Sequence, residues 1–267
     1  MSTAVIQGSS GGLGFALTQH VLKHTSLNVF ALTHRSAKEL QERLGHHERL
    51  TVLDRVDIRD EGTLEKAAST VRERQGNDSV RLIACFAGVL EPEKSLRMIN
   101  PQTLLDTFQI NCMGHLLTYK HFVPLIPSKK AFAELKWDED PAKGLVAKTN
   151  SLCFSLSARV GSIEDNKKGG WYSYRASKAA LNQFIRTLDH ELVNKSSSGV
   201  AMAYHPGTVL TSFTRPILGA KAEPNPDKGQ FSTDQAVEHL VSIMSKASRE
   251  QEWGGRLWDY KGEQIPW

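Results

Sequence analysis

The chain has 267 residues, of which 40% are hydrophobic and 23% charged, with a formal net charge of +4. That is enough apolar material for one large core, and an α/β sheet covered on both faces reaches this length as one domain, here 1–267. The basic residues are scattered and form no stripe, which argues against a nucleic-acid footprint, and no run reaches the roughly 18 apolar residues of a membrane span.

In chain order, strand-like apolar runs are predicted at Ala4–Gln7, Asn28–Thr33, Leu50–Val56, Val80–Phe86, Ser151–Leu156 and Val200–Tyr204, with a weaker one at Arg256–Asp259. Between them, helical patterns fall at about Leu13–His24, Ala37–Leu44, Glu61–Arg74, Thr103–Leu125, Tyr174–Asn194 and Thr233–Ser245. Strand and helix alternating in this way predict a doubly wound parallel sheet of about seven strands, with right-handed crossovers and helices on both faces. Ligands of such sheets sit at the carboxyl ends of the strands. Two polar stretches break the rhythm. Ser128–Thr149 carries no motif and is expected to be a surface excursion, whereas Thr208–Ser232 follows a strand at the ligand-bearing edge and is expected to be a lid.

The opening MSTAVIQGSSGGLG has no basic n-region and enters a strand directly. Cys85, Cys112 and Cys153 are odd in number, widely spaced and set in apolar runs, with neither disulfide nor metal-ligand spacing. His115, His121 and His205 are equally dispersed, so no metal is assigned. A cytoplasmic protein with reduced, buried thiols is the expectation.

The turn Gly8-Ser9-Ser10-Gly11-Gly12-Leu13-Gly14 joins the first strand to the first helix. Glycines there let the backbone turn tightly and approach a pyrophosphate, which the helix N-terminal amides then hold. The second strand ends Leu32-Thr33-His34-Arg35 with no carboxylate before Glu39. A cation at this place suits the 2′-phosphate of NADP, and an acid would suit NAD. Arg35, with His34 and Ser10, is the candidate phosphate contact, against the alternative of a solvated surface arginine. Asp57, ending the third strand, either accepts from the adenine amino group or is an ordinary turn aspartate.

Tyr174-Arg175-Ala176-Ser177-Lys178 puts a phenol and an ammonium four residues apart on one helix face. Bringing a tyrosine from about 10 to neutral pH for proton transfer takes roughly 4 kcal/mol of anion stabilisation, which a lysine and an oxidised nicotinamide can supply.

GSSGGLG at Gly8–Gly14, Phe86-Ala87-Gly88, Asn111-Cys112-Met113-Gly114, Ser157, YRASK and Pro206-Gly207-Thr208-Val209-Leu210-Thr211 stand in one order and at separations that resemble the short-chain dehydrogenase/reductase family over essentially the whole chain. The stretch Ser157–Ile163, GGWYSYRASKAALN and the ending DYKGEQIPW resemble its C-factor-like subgroup. The resemblance implies an oxidoreductase moving hydride between nicotinamide and a small carbonyl or alcohol, with NADPH preferred over NADH. It implies Tyr174 as general acid/base, Lys178 as its tuner and ribose ligand, Ser157 as hydrogen-bond partner of the substrate oxygen, and Asn111 as holder of a relay water. Gly8, Ser10, Gly12, Leu13, Gly14, Arg35, Asp57, Ala87, Gly88, Asn111, Tyr174, Lys178, Pro206, Gly207, Val209 and Thr211 are the implied cofactor contacts, with the backbone around Thr208–Val209 on the carboxamide.

Gln7 and Cys85-Phe86 depart from the family's threonine and NNAG, which puts in question how the cofactor turn is braced. Extra residues within Glu164–Gly170 are expected to bulge beside the substrate entrance, with Leu90–Leu96 and the lid shaping specificity. The resemblance implies that the long helices Thr103–Leu125 and Tyr174–Asn194 pair across a two-fold axis, giving a homodimer or homotetramer. The competing readings are a cofactor-binding signalling or redox-sensing protein on the same fold, and a structural subunit of a larger assembly.

Overall fold

The computed structural model describes residues 2–267. Its strands and helices follow the alternation of apolar runs and amphipathic stretches. In order they are β1 (Thr3–Gln7), α1 (Gly12–His24), β2 (Asn28–Leu32), α2 (Ala37–Leu44), β3 (Leu50–Leu53), α3 (Glu61–Gln75) and β4 (Val80–Cys85). There follow α4 (Pro101–Phe108), α5 (Gly114–Phe122), α6 (Lys129–Glu134), β5 (Ser151–Leu156), α7 (Tyr172–Asn194), β6 (Gly199–His205), β7 (Thr208–Val209), α8 (Arg215–Leu218), β8 (Gln230–Phe231), α9 (Thr233–Lys246), β9 (Leu257–Asp259) and β10 (Gln264–Ile265).

The main sheet runs β10-β9-β6-β5-β4-β1-β2-β3, parallel except for the antiparallel β10. It has eight strands where about seven were expected. The extra one, Gln264–Ile265, is a two-residue edge pairing with Trp258 and Leu257, too short to show as a periodic run. β1, β4 and β5 are buried along almost their whole length, as strands covered on both faces must be. One core lies beneath α1 and α9, the other beneath α3, α5 and α7. Chain order reverses direction between β1 and β4, which opens the crevice at their carboxyl ends.

Helix starts follow local chemistry. Asp60 accepts from Gly62 N at the head of α3, and Ser232 with Gln235 forms a reciprocal capping box on α9. α1 differs, since it starts at Gly11 and no side chain caps its first amides.

Two expectations need correcting. Thr103–Leu125 is not one helix: a π turn at Gln109–Met113 separates α4 from α5, and a 3-10 turn closes it at Val123–Leu125. Nor is Ser128–Thr149 only a surface excursion, because Ala142, Leu145 and Val146 enter the core under α1. Arg81 explains the polar part of that segment. Its buried guanidinium lies between the rings of Phe132 and Trp137, 4.7 and 4.9 Å from their centroids, and faces Asp140 at 3.6 Å.

Candidate active site

A single cleft of about 1060 Å³ runs across the carboxyl ends of the central strands, and every residue named from the sequence lines it except Arg35 and Asn111. The glycine turn forms one end. Gly8 has φ +82°, and a Cβ there would stand 2.8 Å from Ala87 N; a Cβ on Gly14 would stand 2.3 Å from Gly8 O. Only glycine therefore lets the turn close against the end of β4. The uncapped amides of α1 are the donors a pyrophosphate requires, so the residues present fit a dinucleotide.

Gln7 resolves the missing brace. Its Oε1 accepts from Phe86 N and from Ala87 N, both at 3.1 Å, so one side chain in β1 holds the segment that the family's asparagines hold. His115, fully buried, adds a second hold through Nε2 on Ala87 O at 2.8 Å, with its Nδ1 3.0 Å from Ser155 Oγ. Burial pulls the His115 pKa down to about 3, so it is a neutral strut at any ordinary pH.

Asn111 sits in the π turn with its side chain fully committed. Oδ1 accepts from Val89 N at 2.7 Å, and Nδ2 donates to Val89 O at 2.9 Å and Ser177 Oγ at 3.2 Å. It clamps the Gly88–Val89 strand end to the Tyr174 helix. A Cβ on Gly88 would lie 3.3 Å from Asn111 Oδ1 and 3.9 Å from Lys178 Nζ, which shows how closely these groups converge.

Tyr174 and Lys178 share the cleft-facing side of α7, as their spacing requires, yet Lys178 does not bond the phenol. Its Nζ donates to Leu156 O at 2.8 Å and lies 5.9 Å from the Tyr174 ring centroid. Burial dominates both groups: it raises the phenol's pKa and lowers that of the ammonium to about 7. The expected lowering of Tyr174 by Lys178 is thus not built into the protein alone, because the lysine stem reaches past the ring to a strand carbonyl. The 3-10 turn Arg159–Gly161 abuts this lysine so tightly that a Cβ on Gly161 would meet Lys178 Cβ at 2.8 Å.

The adenosine end also departs from expectation. Arg35 is exposed and does not line the cleft; its contact is a backbone N–H to Thr33 Oγ1 at 3.0 Å. His34 does line it, as does Arg59, whose guanidinium engages Asp57 through two bonds of 3.0 and 2.7 Å and holds that carboxyl below its usual range. Arg43 lies 4.0 Å over the Phe15 ring and donates to Ser10 O at 2.7 Å. Neither Arg43 nor Arg59 has a motif to mark it. Topology finds them, because β2 lies between β1 and β3, so the end of β3 carries Arg59 and the connecting helix α2 carries Arg43 to the glycine turn.

At the substrate end, Trp171 and Phe213 flank Tyr174 with ring centroids 6.2 and 6.3 Å away. Trp171 has φ +53°, and its N donates to Glu93 O at 2.6 Å. The buried Glu93 carboxylate accepts from Ser173 N and Ser173 Oγ in the first turn of α7, a favourable place for negative charge. Asp165, Lys167 and Lys168 bring the 164–170 loop to the rim as expected. Segment 208–232 folds back on itself: β7 pairs with β8, Thr208 N donates to Gly229 O at 2.8 Å, and Thr211 packs 3.7 Å from where a Gly12 Cβ would be.

Comparison with known proteins agrees with this arrangement. A family model described as short chain dehydrogenase matches residues 2–132. The chain is 26% identical over 248 residues to a 1-hydroxy-2-glutathionyl-2-methyl-3-butene dehydrogenase of Rhodococcus sp., covering 92% of this chain and 94% of that one. It is 32% identical over 112 residues to the C-signal protein of Myxococcus xanthus, covering 42% of this chain and 58% of that one. Among solved structures, the fold matches an NADPH-bound carbonyl reductase from chicken fatty liver with TM-score 0.81 and 24% identity, over 100% of this chain and 99% of that one. Over residues 2–132 the chain is similar to the short-chain dehydrogenase family, and the relatives it resembles include a dehydrogenase and a carbonyl reductase. Among the described residues no helix is long and apolar enough to cross a membrane.

Proposed function

We propose that the protein is an NADP(H)-dependent reductase of small carbonyl compounds, working as one domain with Tyr174 as its general acid. The observation that carries this reading is the meeting of Tyr174, Ser157, Lys178 and the glycine turn in one cleft. When bound, the nicotinamide supplies the hydride and, once oxidised, a positive charge beside the phenol. The chain's residues do the rest. Tyr174 places a polar hydrogen, and Ser157 a hydroxyl, where negative charge develops on a reacting oxygen, Lys178 holds a cation within the buried face of α7, and Trp171 and Phe213 flank the phenol. Val209, Thr211 and Pro206-Gly207 form the wall on which a carboxamide would rest.

NADP over NAD is supported by three arginines around this end of the fold, Arg35 after β2, Arg43 in α2 and Arg59 after β3. A thiol-based sensor is not favoured, since Cys85 and Cys112 are buried with pKa values pushed up to about 12 and 11. The exposed apolar residues Leu105, Met113 and Leu116 on α4, the π turn and α5 support pairing of two copies along that face.

Turnover of aldehydes, ketones and quinones, followed by NADPH absorbance, tests the reading. Tyr174→Phe should lose turnover by at least two orders of magnitude while binding NADPH within about twofold of the original, because general acid catalysis contributes 10²–10⁴. A Phe variant as active as the parent would remove Tyr174 from the chemistry.

A further inference from the structure

Behind the reaction centre lies a buried pair whose second member has no role assigned above. Ser157 ends its strand facing the cleft, and Asn182 stands on α7 one turn beyond Lys178 and two beyond Tyr174. Both are almost fully buried, and Ser157 Oγ donates to Asn182 Oδ1 over 2.6 Å. Asn182 Nδ2 is buried with no hydrogen-bond partner among the described residues.

A serine hydroxyl has one proton and two lone pairs. While its proton goes to Asn182, Ser157 can offer a group in the cleft only lone pairs, whereas a carbonyl oxygen needs a donor. The carboxamide can reverse this. Its two ends have nearly the same shape, so a half-turn about its terminal torsion puts Nδ2 where Oδ1 stood, and that torsion is broadly two-fold. In the turned orientation Nδ2 donates to Ser157 Oγ, and the serine proton is free to point at a substrate oxygen. The exchange leaves one buried polar atom unpartnered in either state: Nδ2 as observed, Oδ1 after the turn. Neither orientation is therefore locked by a second bond.

We propose that Asn182 is a positioning residue whose carboxamide sets the direction of the Ser157 hydroxyl, so that serine donates to a carbonyl and accepts from an alcohol at the same place. This rests on the reductase reading above. No covalent bond changes; the serine proton moves from the Asn182 oxygen to the substrate oxygen by rotation alone.

The test uses the full chain with NADPH and the best carbonyl from the turnover screen. Asn182→Asp keeps the shape but, when ionised, can only accept, and so holds the Ser157 proton away from the cleft. Its kcat should fall at least tenfold at pH 8, with NADPH affinity within twofold of the parent. It should recover relative to the parent as pH falls and the carboxyl gains a proton to donate. In a Ser157→Ala background the same substitution should change kcat less than twofold. Independently of activity, the Asn182 side-chain amide resonance in ¹⁵N-labelled protein, assigned by its loss in Asn182→Asp, should move on Ser157→Ala. An Asp variant within twofold of the parent at every pH, an equal loss in the Ser157→Ala background, or an unmoved amide overturns the role of Asn182 alone. Failure of the parent protein to reduce any carbonyl overturns the reductase reading and this role with it.

Discussion

Replacing Lys178 by Met should abolish turnover and yet stabilise the protein in the absence of nucleotide, with a gain that depends on pH in a set direction. The ammonium is almost fully buried, and burial lowers its pKa from 10.5 to about 7. At about 1.4 kcal/mol per pH unit between those values, keeping the charge inside costs the folded state on the order of 5 kcal/mol at low pH. Methionine removes that cost and also the charged hydrogen bond to Leu156 O at 2.8 Å, a loss of about 1.5–3 kcal/mol. A net gain of roughly 2–4 kcal/mol remains. For a chain of this length unfolding entropy is about 0.6 kcal/mol per degree, so Tm should rise by about 4–7 °C. The sign follows from proton counts. Below pH 7 both folded and unfolded wild-type chains carry the charge, and the penalty is complete. Between pH 7 and 10.5 the unfolded chain binds more protons, so wild-type stability climbs with pH relative to the variant. Above 10.5 the advantage of Met vanishes and the lost hydrogen bond leaves it slightly less stable. Thermal melts of both proteins at pH 6, 8 and 10 measure this. A difference that does not change with pH would refute the assignment of Lys178 as a buried cation under strain.

Three further outcomes follow from the same geometry. Arg59→Ala, which changes the arginine lining the cleft, should weaken NADPH about tenfold and leave NADH unchanged, and Arg35→Ala should weaken NADPH less, since about 1.4 kcal/mol corresponds to each tenfold; fluorescence titration of both nucleotides decides it, and an unchanged NADPH preference in both variants would take the 2′-phosphate elsewhere. Glu93→Ala strips the first turn of α7 of its buried acceptor, so stability should fall by about 1–3 kcal/mol in chemical denaturation, with kcat lowered because the turn that carries Tyr174 loses its brace; a variant as stable as the parent would contradict that brace. Hydrogen exchange across 208–232 should slow when NADPH binds, as expected for a segment resting on the glycine turn, and equal exchange with and without nucleotide would count against a closing lid.

The parallel sheet and the crevice at its carboxyl ends were legible because strand and helix periods differ and because parallel crossovers have one hand. Gly8–Gly14 and Tyr174–Lys178 were legible for a related reason: a tight turn and a one-turn helical spacing are local, and local geometry is written in consecutive residues. The π turn that breaks Thr103–Leu125 has no such signature, since it replaces one hydrogen-bond register by another without a change in composition. Gln7, visible only as a departure from the family's threonine, turned out to be the brace for Ala87, because only the pairing of β1 with β4 brings its carboxamide to that peptide. Arg35 illustrates the converse. Its place after β2 was correctly read, but a long side chain at an exposed strand end is free to point outward, while the segment after β3 brings Arg59 to the cleft and α2 brings Arg43 to Ser10 O. Long-range partners such as Glu93 with Ser173, and Ser157 with Asn182, are 80 and 25 residues apart. What the sequence by itself determined is the scaffold and which candidate groups gather at the cleft. Which atom each group faces, and how burial sets its charge, was decided by the tertiary structure, because hydrogen-bond direction and dielectric depend on neighbours that no local pattern encodes.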